Sequence, residues 1–153
     1  MTKFKRLLLQ LLLLPIFPAF DALVVPDVGE VLLLSYALNK IAPGDVLKLK
    51  LFKNDYTPVE GSIVGEFTEA DTAGYAAIDL AKADWTIATD TGVTTAEQPE
   101  KTFTLTGAGS HYGYYITDEA GTGLLWAERF SDAPHNIPSG GGTEKITVKL
   151  IGE

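Results

Sequence analysis

The sequence predicts a mainly β protein, an antiparallel β-sandwich or jelly-roll-like domain with one short N-terminal helix. Polar and apolar residues alternate along several short segments, which is typical of half-buried strands. Turn residues separate these segments at short intervals, which favours antiparallel connections over βαβ units. The chain has 153 residues, of which 46% are hydrophobic and 21% charged, a composition typical of one folded domain with its own core.

The first 22 residues differ from the rest of the chain. Lys3, Lys5 and Arg6 precede an apolar run over residues 7–20 that contains two prolines. A basic start and a short apolar run are typical of a secretory signal peptide, and the run is too short for a stable membrane span. A mis-assigned upstream start codon and a retained anchor or assembly arm are the alternatives. We therefore divide the chain into an apolar leader, residues 1–22, and a single β-rich domain, residues 23–153.

A short helix is predicted directly after the leader. Asp27 is a good N-cap, and Glu30 follows three residues later as in a capping box. Apolar residues continue to Ile41, and Pro43 with Gly44 ends the helix. The helix lacks a polar face rich in lysine and arginine, so we expect it to pack on a sheet rather than on a membrane surface.

The period changes to two at position 46. Leu47, Leu49 and Leu51 alternate with Lys48 and Lys50, which predicts a half-buried strand with its lysines in solvent. Exposed lysines also suit an edge strand that is protected against pairing with other chains. A loop follows at residues 54–58, and further strands are predicted over residues 75–80, 85–89, 101–105, 112–117, 124–130 and 145–151.

The clearest local unit is a β-hairpin over residues 112–130. Gly113 stands where a larger residue would crowd a neighbour, which predicts close packing by an aromatic ring or another backbone. Glu128 alternates with Trp126, so it must be paired if their common face is dry. Arg129 is the only arginine outside the leader. It is expected in a structural or intersubunit ion pair, with a carboxylate clamp in a binding site as the alternative.

Charge and cysteine content exclude several classes of function. The chain has 12 Lys and Arg against 20 Asp and Glu, a formal net charge of −8. The basic residues are not clustered outside the leader, so nucleic acid is not an expected partner. The absence of cysteine excludes disulfides, zinc knuckles and thiol nucleophiles. Without such cross-links the domain depends on its core, a bound ion or its neighbours in an assembly.

The sequence contains no convincing catalytic constellation. His111 and His135 lie in stretches rich in Gly, Ser and Pro, without the spacing of metal ligands, and are predicted to be solvated loop residues. Ser110 lacks a G-x-S-x-G elbow. The acidic residues are expected mainly to face water, with a Ca²⁺ loop as the weaker alternative: Glu66, Glu69, Asp71, Asp79, Asp118 and Glu119. We therefore predict a protein that is not an enzyme, with no catalytic residue, cofactor or metal site.

Several stretches of the domain resemble a known group of proteins. They are LVVPDVGE at 23–30, LFKNDYTP at 51–58, FTEA at 67–70, GYA at 74–76, GYYIT at 113–117 and LLWAERF at 124–130. They look like small, largely uncharacterised proteins that tailed bacteriophages encode near their virion genes, and the resemblance covers most of residues 23–151. It implies a structural virion protein, either a capsid decoration protein or a tail-associated component. Those proteins begin near the position of Leu23, which favours the mis-assigned start codon.

An assembly role makes the aromatic hairpin a candidate contact surface. Tyr112, Tyr114, Tyr115, Trp126 and Arg129 are the predicted binding or assembly residues. Self-association or other virion proteins are the predicted partners, through these residues, exposed strand edges and an N-terminal arm at residues 23–26. The alternative is a secreted β-sandwich binding module for carbohydrate or surface adhesion, in which Trp85, Trp126 and the three tyrosines would stack on a glycan.

Overall fold

The computed structural model describes residues 25–37, 46–90 and 92–152 and confirms the predicted fold class, with antiparallel strands and one short helix, α1, at Asp27–Ala37. The leader and the predicted helix end at Pro43 and Gly44 lie outside the described residues. The strands of the described residues are β1 Val46–Phe52, β2 Ile78–Ala81, β3 Thr86–Asp90, β4 Val93–Glu97, β5 Lys101–Leu105, β6 Gly109–His111, β7 Gly113–Thr117, β8 Leu124–Arg129, β9 His135–Ile137, β10 Gly142–Ile146 and β11 Lys149–Gly152.

Helix α1 begins close to the predicted position. The N–H of Glu30 donates to the carbonyl of Pro26 at 3.0 Å. Since the carbonyl that accepts the first helical hydrogen bond belongs to the N-cap, Pro26 is the N-cap and the assignment of this role to Asp27 was wrong by one residue. Asp27 lies instead in the first turn, where its carboxylate still favours the positive end of the helix dipole. As expected, the helix packs on a sheet, with Gly29 against the backbone of Leu125 in β8.

A four-stranded antiparallel sheet in the order β2-β1-β7-β8 forms the centre of the molecule. The prediction that β1 is an edge strand was wrong, because β1 pairs with β2 on one side and with β7 on the other. The lysines of β1 mark its more polar face rather than its edge. Lys48 lies 2.5 Å from Asp79 across the ladder, and Lys50 lies 3.0 Å from Glu69.

This sheet is buried on both of its faces. One face belongs to the main core, which also takes in side chains of β5 and β10; its members include Leu49, Leu51, Phe103, Leu105, Ile116, Trp126, Ile146 and Val148. The other face carries a smaller core beneath the β1–β2 loop (residues 53–77), formed by Phe52, Phe67, Tyr115, Leu124 and Ala127. Alternation along β7 and β8 therefore directs side chains into apolar surroundings on both faces, whereas on the second face β1 contributes Phe52 to the core and Lys48 and Lys50 to ion pairs.

A long interrupted ribbon supplies the second layer. β5 pairs with β10 and β4 pairs with β11, and between the two pairs the N–H of Gln98 donates to the carbonyl of Val148 at 3.0 Å. The strand predicted over residues 145–151 is thus two strands separated at residues 147 and 148. β3 adds to β4 and completes a three-stranded sheet in the order β11-β4-β3. The sequence prediction missed β4, β6 and β9.

The predicted hairpin is confirmed as β7 and β8, with a bulge between Ile116 and Thr117. Gly113 is crowded as expected: a Cβ atom there would lie 2.6 Å from the Phe52 ring and would overlap the carbonyl oxygen of Glu128. The turn is held by the Asp118 carboxylate, which accepts hydrogen bonds from the N–H groups of residues 122 and 123. An Asp side chain at the start of a turn commonly accepts hydrogen bonds from N–H groups that lack a backbone partner.

Candidate assembly surface

Three of the five predicted contact residues lie in the core. Trp126 and Tyr115 are each 2% exposed and Tyr114 is 5% exposed. The prediction that these three residues form a contact surface was wrong, because the strands that carry them are covered on both faces. Tyr114 donates a 2.5 Å hydrogen bond to Glu128, which confirms that Glu128 is paired. The pKa of Tyr114 is raised, mainly because the side chain is buried and also because of this contact with Glu128.

Arg129 and Tyr112 are the two predicted residues that remain partly exposed. The Arg129 guanidinium lies 2.7 Å from the Asp55 carboxylate and donates to the carbonyl of Tyr56 at 3.2 Å. It also lies over the Tyr112 ring, 5.2 Å from the ring centroid. These contacts are within the chain, so Arg129 forms a structural ion pair that fastens the β1–β2 loop to β8.

The two histidines are not solvated loop residues, and that prediction was wrong. His111 and His135 are directly opposite each other in the β6–β9 pair, two short strands whose few residues gave no periodic signal. His111 is fully buried, and its Nε2 lies 3.0 Å from the Thr72 hydroxyl. Burial lowers its pKa. Within the described residues Nδ1 of His111 has no hydrogen-bond partner.

His135 is held between two carboxylates. Its Nε2 lies 2.7 Å from Asp132 and its Nδ1 lies 3.0 Å from Glu144, while its ring stacks on Phe130 with centroids 4.2 Å apart. Both ring nitrogens must donate to satisfy both carboxylates, which requires the imidazolium. Burial by itself lowers the pKa of His135, but the hydrogen bonds to Asp132 and Glu144 outweigh it and the pKa lies above its ordinary value.

Three acidic residues of the β1–β2 loop have partners in β1 or in the loop itself. Lys50 binds Glu69, Lys53 lies 2.6 Å from Asp71, and Glu66 accepts a 2.8 Å hydrogen bond from the Tyr56 hydroxyl. The expectation that the acidic residues mainly face water is confirmed for most of them, because Glu66, Asp71, Asp79 and Glu119 are exposed. Glu69 is half-buried, and its ion pair with Lys50 connects the loop to β1. Across residues 25–37, 46–90 and 92–152, no group of three or more metal-ligating side chains is arranged to hold a metal ion.

The most accessible regular structure is strand β3. All five of its residues are exposed, and the Ile87 side chain is 72% exposed. Within the described part of the chain no strand pairs with the side of β3 that faces away from β4. We call this side the β3 edge. Natural edge strands commonly carry Lys, Pro or a bulge that discourages pairing with another chain, whereas Thr86, Ile87, Ala88 and Thr89 are uncharged.

An open groove of about 330 Å³ lies beside β3 and is lined by Thr86, Ala88, Thr95, Glu97, Gln98 and Pro99. Glu97 is the only titratable group of this lining, and its carboxylate lies 3.5 Å from Lys149. The groove therefore offers no pair of groups for acid and base catalysis, which needs two positioned proton-transfer groups. Its threonine and alanine lining is suited to contact with another protein chain.

Comparison with protein-family models, with curated proteins and with solved structures gave no match. No helix of the described residues is long and apolar enough to cross a membrane.

Proposed function

We propose that this chain is a non-enzymatic structural protein of a bacteriophage virion, a capsid decoration protein or a tail-associated component. It is located in the virion, and its partners are further copies of itself or other virion proteins. The observation that carries this proposal is the β3 edge, an unpaired side of a strand whose residues are all exposed and whose run from Thr86 to Thr89 is uncharged.

The physical reason lies in the unpaired backbone groups of such an edge. An exposed edge presents N–H and C=O groups that another strand can bind with main-chain hydrogen bonds. A protein that binds its neighbours in the folded state gains stability by mass action, which suits a domain without disulfides. The resemblance of several sequence stretches to phage proteins supports placing this assembly in a virion.

The non-enzymatic part of the proposal is supported by how the reactive side chains are used. His135 binds Asp132 and Glu144, and Arg129 binds Asp55. These groups hold segments of the same fold together and do not converge on the groove beside β3. The proposed function of the protein is therefore to form contacts between subunits.

The alternative of a secreted carbohydrate or adhesion module depended on an exposed aromatic platform. Trp126, Tyr114 and Tyr115 are core residues, so they cannot stack on a glycan without opening the fold. Among the residues that the structure describes, no observation favours this second function.

The proposal is tested on particles of the phage whose genome encodes this chain. Density-gradient fractions of purified particles are digested and quantified by mass spectrometry, with a replication enzyme of the same phage as the negative control. Peptides of this chain should follow the major capsid protein at a constant ratio through the gradient, and separated heads and tails then locate it. A chain that is abundant in infected cells and absent from the particle fractions would refute the proposal.

A further inference from the structure

We propose that the β3 edge pairs with the β3 edge of a second copy of this chain. The two strands run antiparallel about a two-fold axis, and they join the two three-stranded sheets into one sheet of six strands. This inference names the partner for the edge on which the proposed function rests.

The contacts between β3 and β4 indicate which backbone groups of β3 are free. Thr89 is opposite Thr94, and the two hydroxyls lie 2.9 Å apart. Such close side chains are typical of a non-hydrogen-bonded pair of an antiparallel ladder. Hydrogen-bonded and non-hydrogen-bonded pairs alternate, so the N–H and C=O groups of Thr89 and Ile87 point away from β4. Those of Ala88 point towards β4, since Ala88 is opposite Thr95 in the intervening pair.

These outward groups are self-complementary when Ala88 lies on the two-fold axis. Ile87 is then opposite Thr89 of the second copy, and Thr89 is opposite the second Ile87. Each of these two pairs exchanges two hydrogen bonds, which gives four between the copies. The two alanines meet at the axis as a non-hydrogen-bonded pair, where the backbones approach most closely and a small side chain fits best. Ile87 and Thr89 are both β-branched, a favourable type of cross-strand pair.

Charge also favours a second copy as the occupant. In this register Asp90 is opposite Thr86, so the strands place no carboxylate directly opposite another. Like charges directly opposite each other would destabilise the pair, and a chain with a net charge of −8 otherwise repels its own copies. The uncharged run from Thr86 to Thr89 is therefore a place where two copies can approach.

The size of the contact sets the expected strength. A pair of five-residue strands buries far less than the roughly 1,200 Å² at which stable interfaces begin. The dimer is therefore weak in dilute solution. It becomes stronger where copies are held side by side on a particle, because the effective concentration of the partner is then high.

Sedimentation velocity of the full chain over a wide concentration range tests the pairing. A concentration-dependent dimer is expected, and Ile87→Pro should raise its dissociation constant, Kd, by about tenfold or more. Proline removes the outward N–H of Ile87 from both copies, which deletes two of the four inter-copy bonds and leaves the ladder to β4 intact. Circular dichroism verifies that the variant is folded. If it is not, Ile87→Lys replaces it, with Val59→Lys as the matched control, since Val59 is 55% exposed in the β1–β2 loop.

Amide hydrogen exchange gives a second and independent readout. The N–H groups of Ile87 and Thr89 should exchange more slowly as the concentration of the chain rises, whereas the N–H of Ala88 should be protected at every concentration. A chain that stays monomeric at all concentrations, or a dimer that Ile87→Pro and Ile87→Lys leave unchanged, would overturn the inference.

The two proposals fail in different ways. A β3-dependent dimer whose chain is absent from phage particles refutes the proposed function and leaves the pairing intact. A chain that is present in particles but monomeric in solution, and that cross-links through β3 to another virion protein, refutes self-pairing and leaves the proposed function intact.

Discussion

The substitution Gly113→Ala adds one carbon atom at the most crowded position of the central sheet. The added Cβ would lie 2.6 Å from the ring of Phe52 and would overlap the carbonyl oxygen of Glu128. Phe52 is fully buried, and its ring packs edge-on against Phe67 with centroids 5.2 Å apart. Neither neighbour can move easily, because one is a packed core side chain and the other is the backbone of β8.

The expected loss of stability follows from these contacts. Overpacking a well-packed core costs about 1–3 kcal/mol, while replacing a strand glycine by alanine without strain gains roughly 0.5–1 kcal/mol. We expect the strain to dominate, with a net decrease of about 1–2 kcal/mol in the free energy of unfolding. For a domain of this size this corresponds to a decrease in Tm of about 3–8 °C.

The assay is thermal and urea unfolding followed by tryptophan fluorescence, which reports on the buried Trp126. Gly140→Ala is the matched control, because a Cβ at Gly140 meets nothing within 4 Å and its φ is not in the left-handed region. We expect the control to change the free energy of unfolding by less than about 0.5 kcal/mol. A Gly113→Ala variant that is as stable as the control would refute the packing argument.

Two further predictions concern the ion pairs. His135 has a raised pKa in the folded state, so its stabilisation is fully present below its unfolded pKa of about 6.5 and is lost as the pH rises through the folded pKa. The difference in unfolding free energy between wild type and His135→Gln should therefore shrink as the pH rises from about 5 to about 8, and a difference that grows would contradict the imidazolium assignment. Arg129→Ala should lower stability by about 1–3 kcal/mol, because it removes the contacts to Asp55 and Tyr56 and the packing on Tyr112. Limited proteolysis should then cut the β1–β2 loop faster than in wild type, and an unchanged rate of cleavage would show that Arg129 does not fasten this loop.

The candidate surface could be predicted only in part. The sequence indicated a strand at residues 85–89, and β3 occupies Thr86–Asp90. It did not indicate that β3 is exposed on both faces, because Trp85 and Ile87 have the spacing of two core residues. Trp85 packs edge-on against Trp126, whereas Ile87 is 72% exposed. The difference depends on which other side chains cover each position, and these are distant along the chain.

Local features of the sequence determined the β class, the strand at Val46–Phe52, the hairpin of β7 and β8 and the crowding at Gly113, since each depends on alternation, turn chemistry or side-chain size within a few residues. Tertiary structure alone decided that β1 is central, that Tyr115 and Trp126 are buried on opposite faces of one sheet, and that His135 is fixed between two carboxylates. Alternation reports which side chains share a face of a strand. It does not report which strand lies beside it or what covers each face, because these contacts join residues that are distant along the chain.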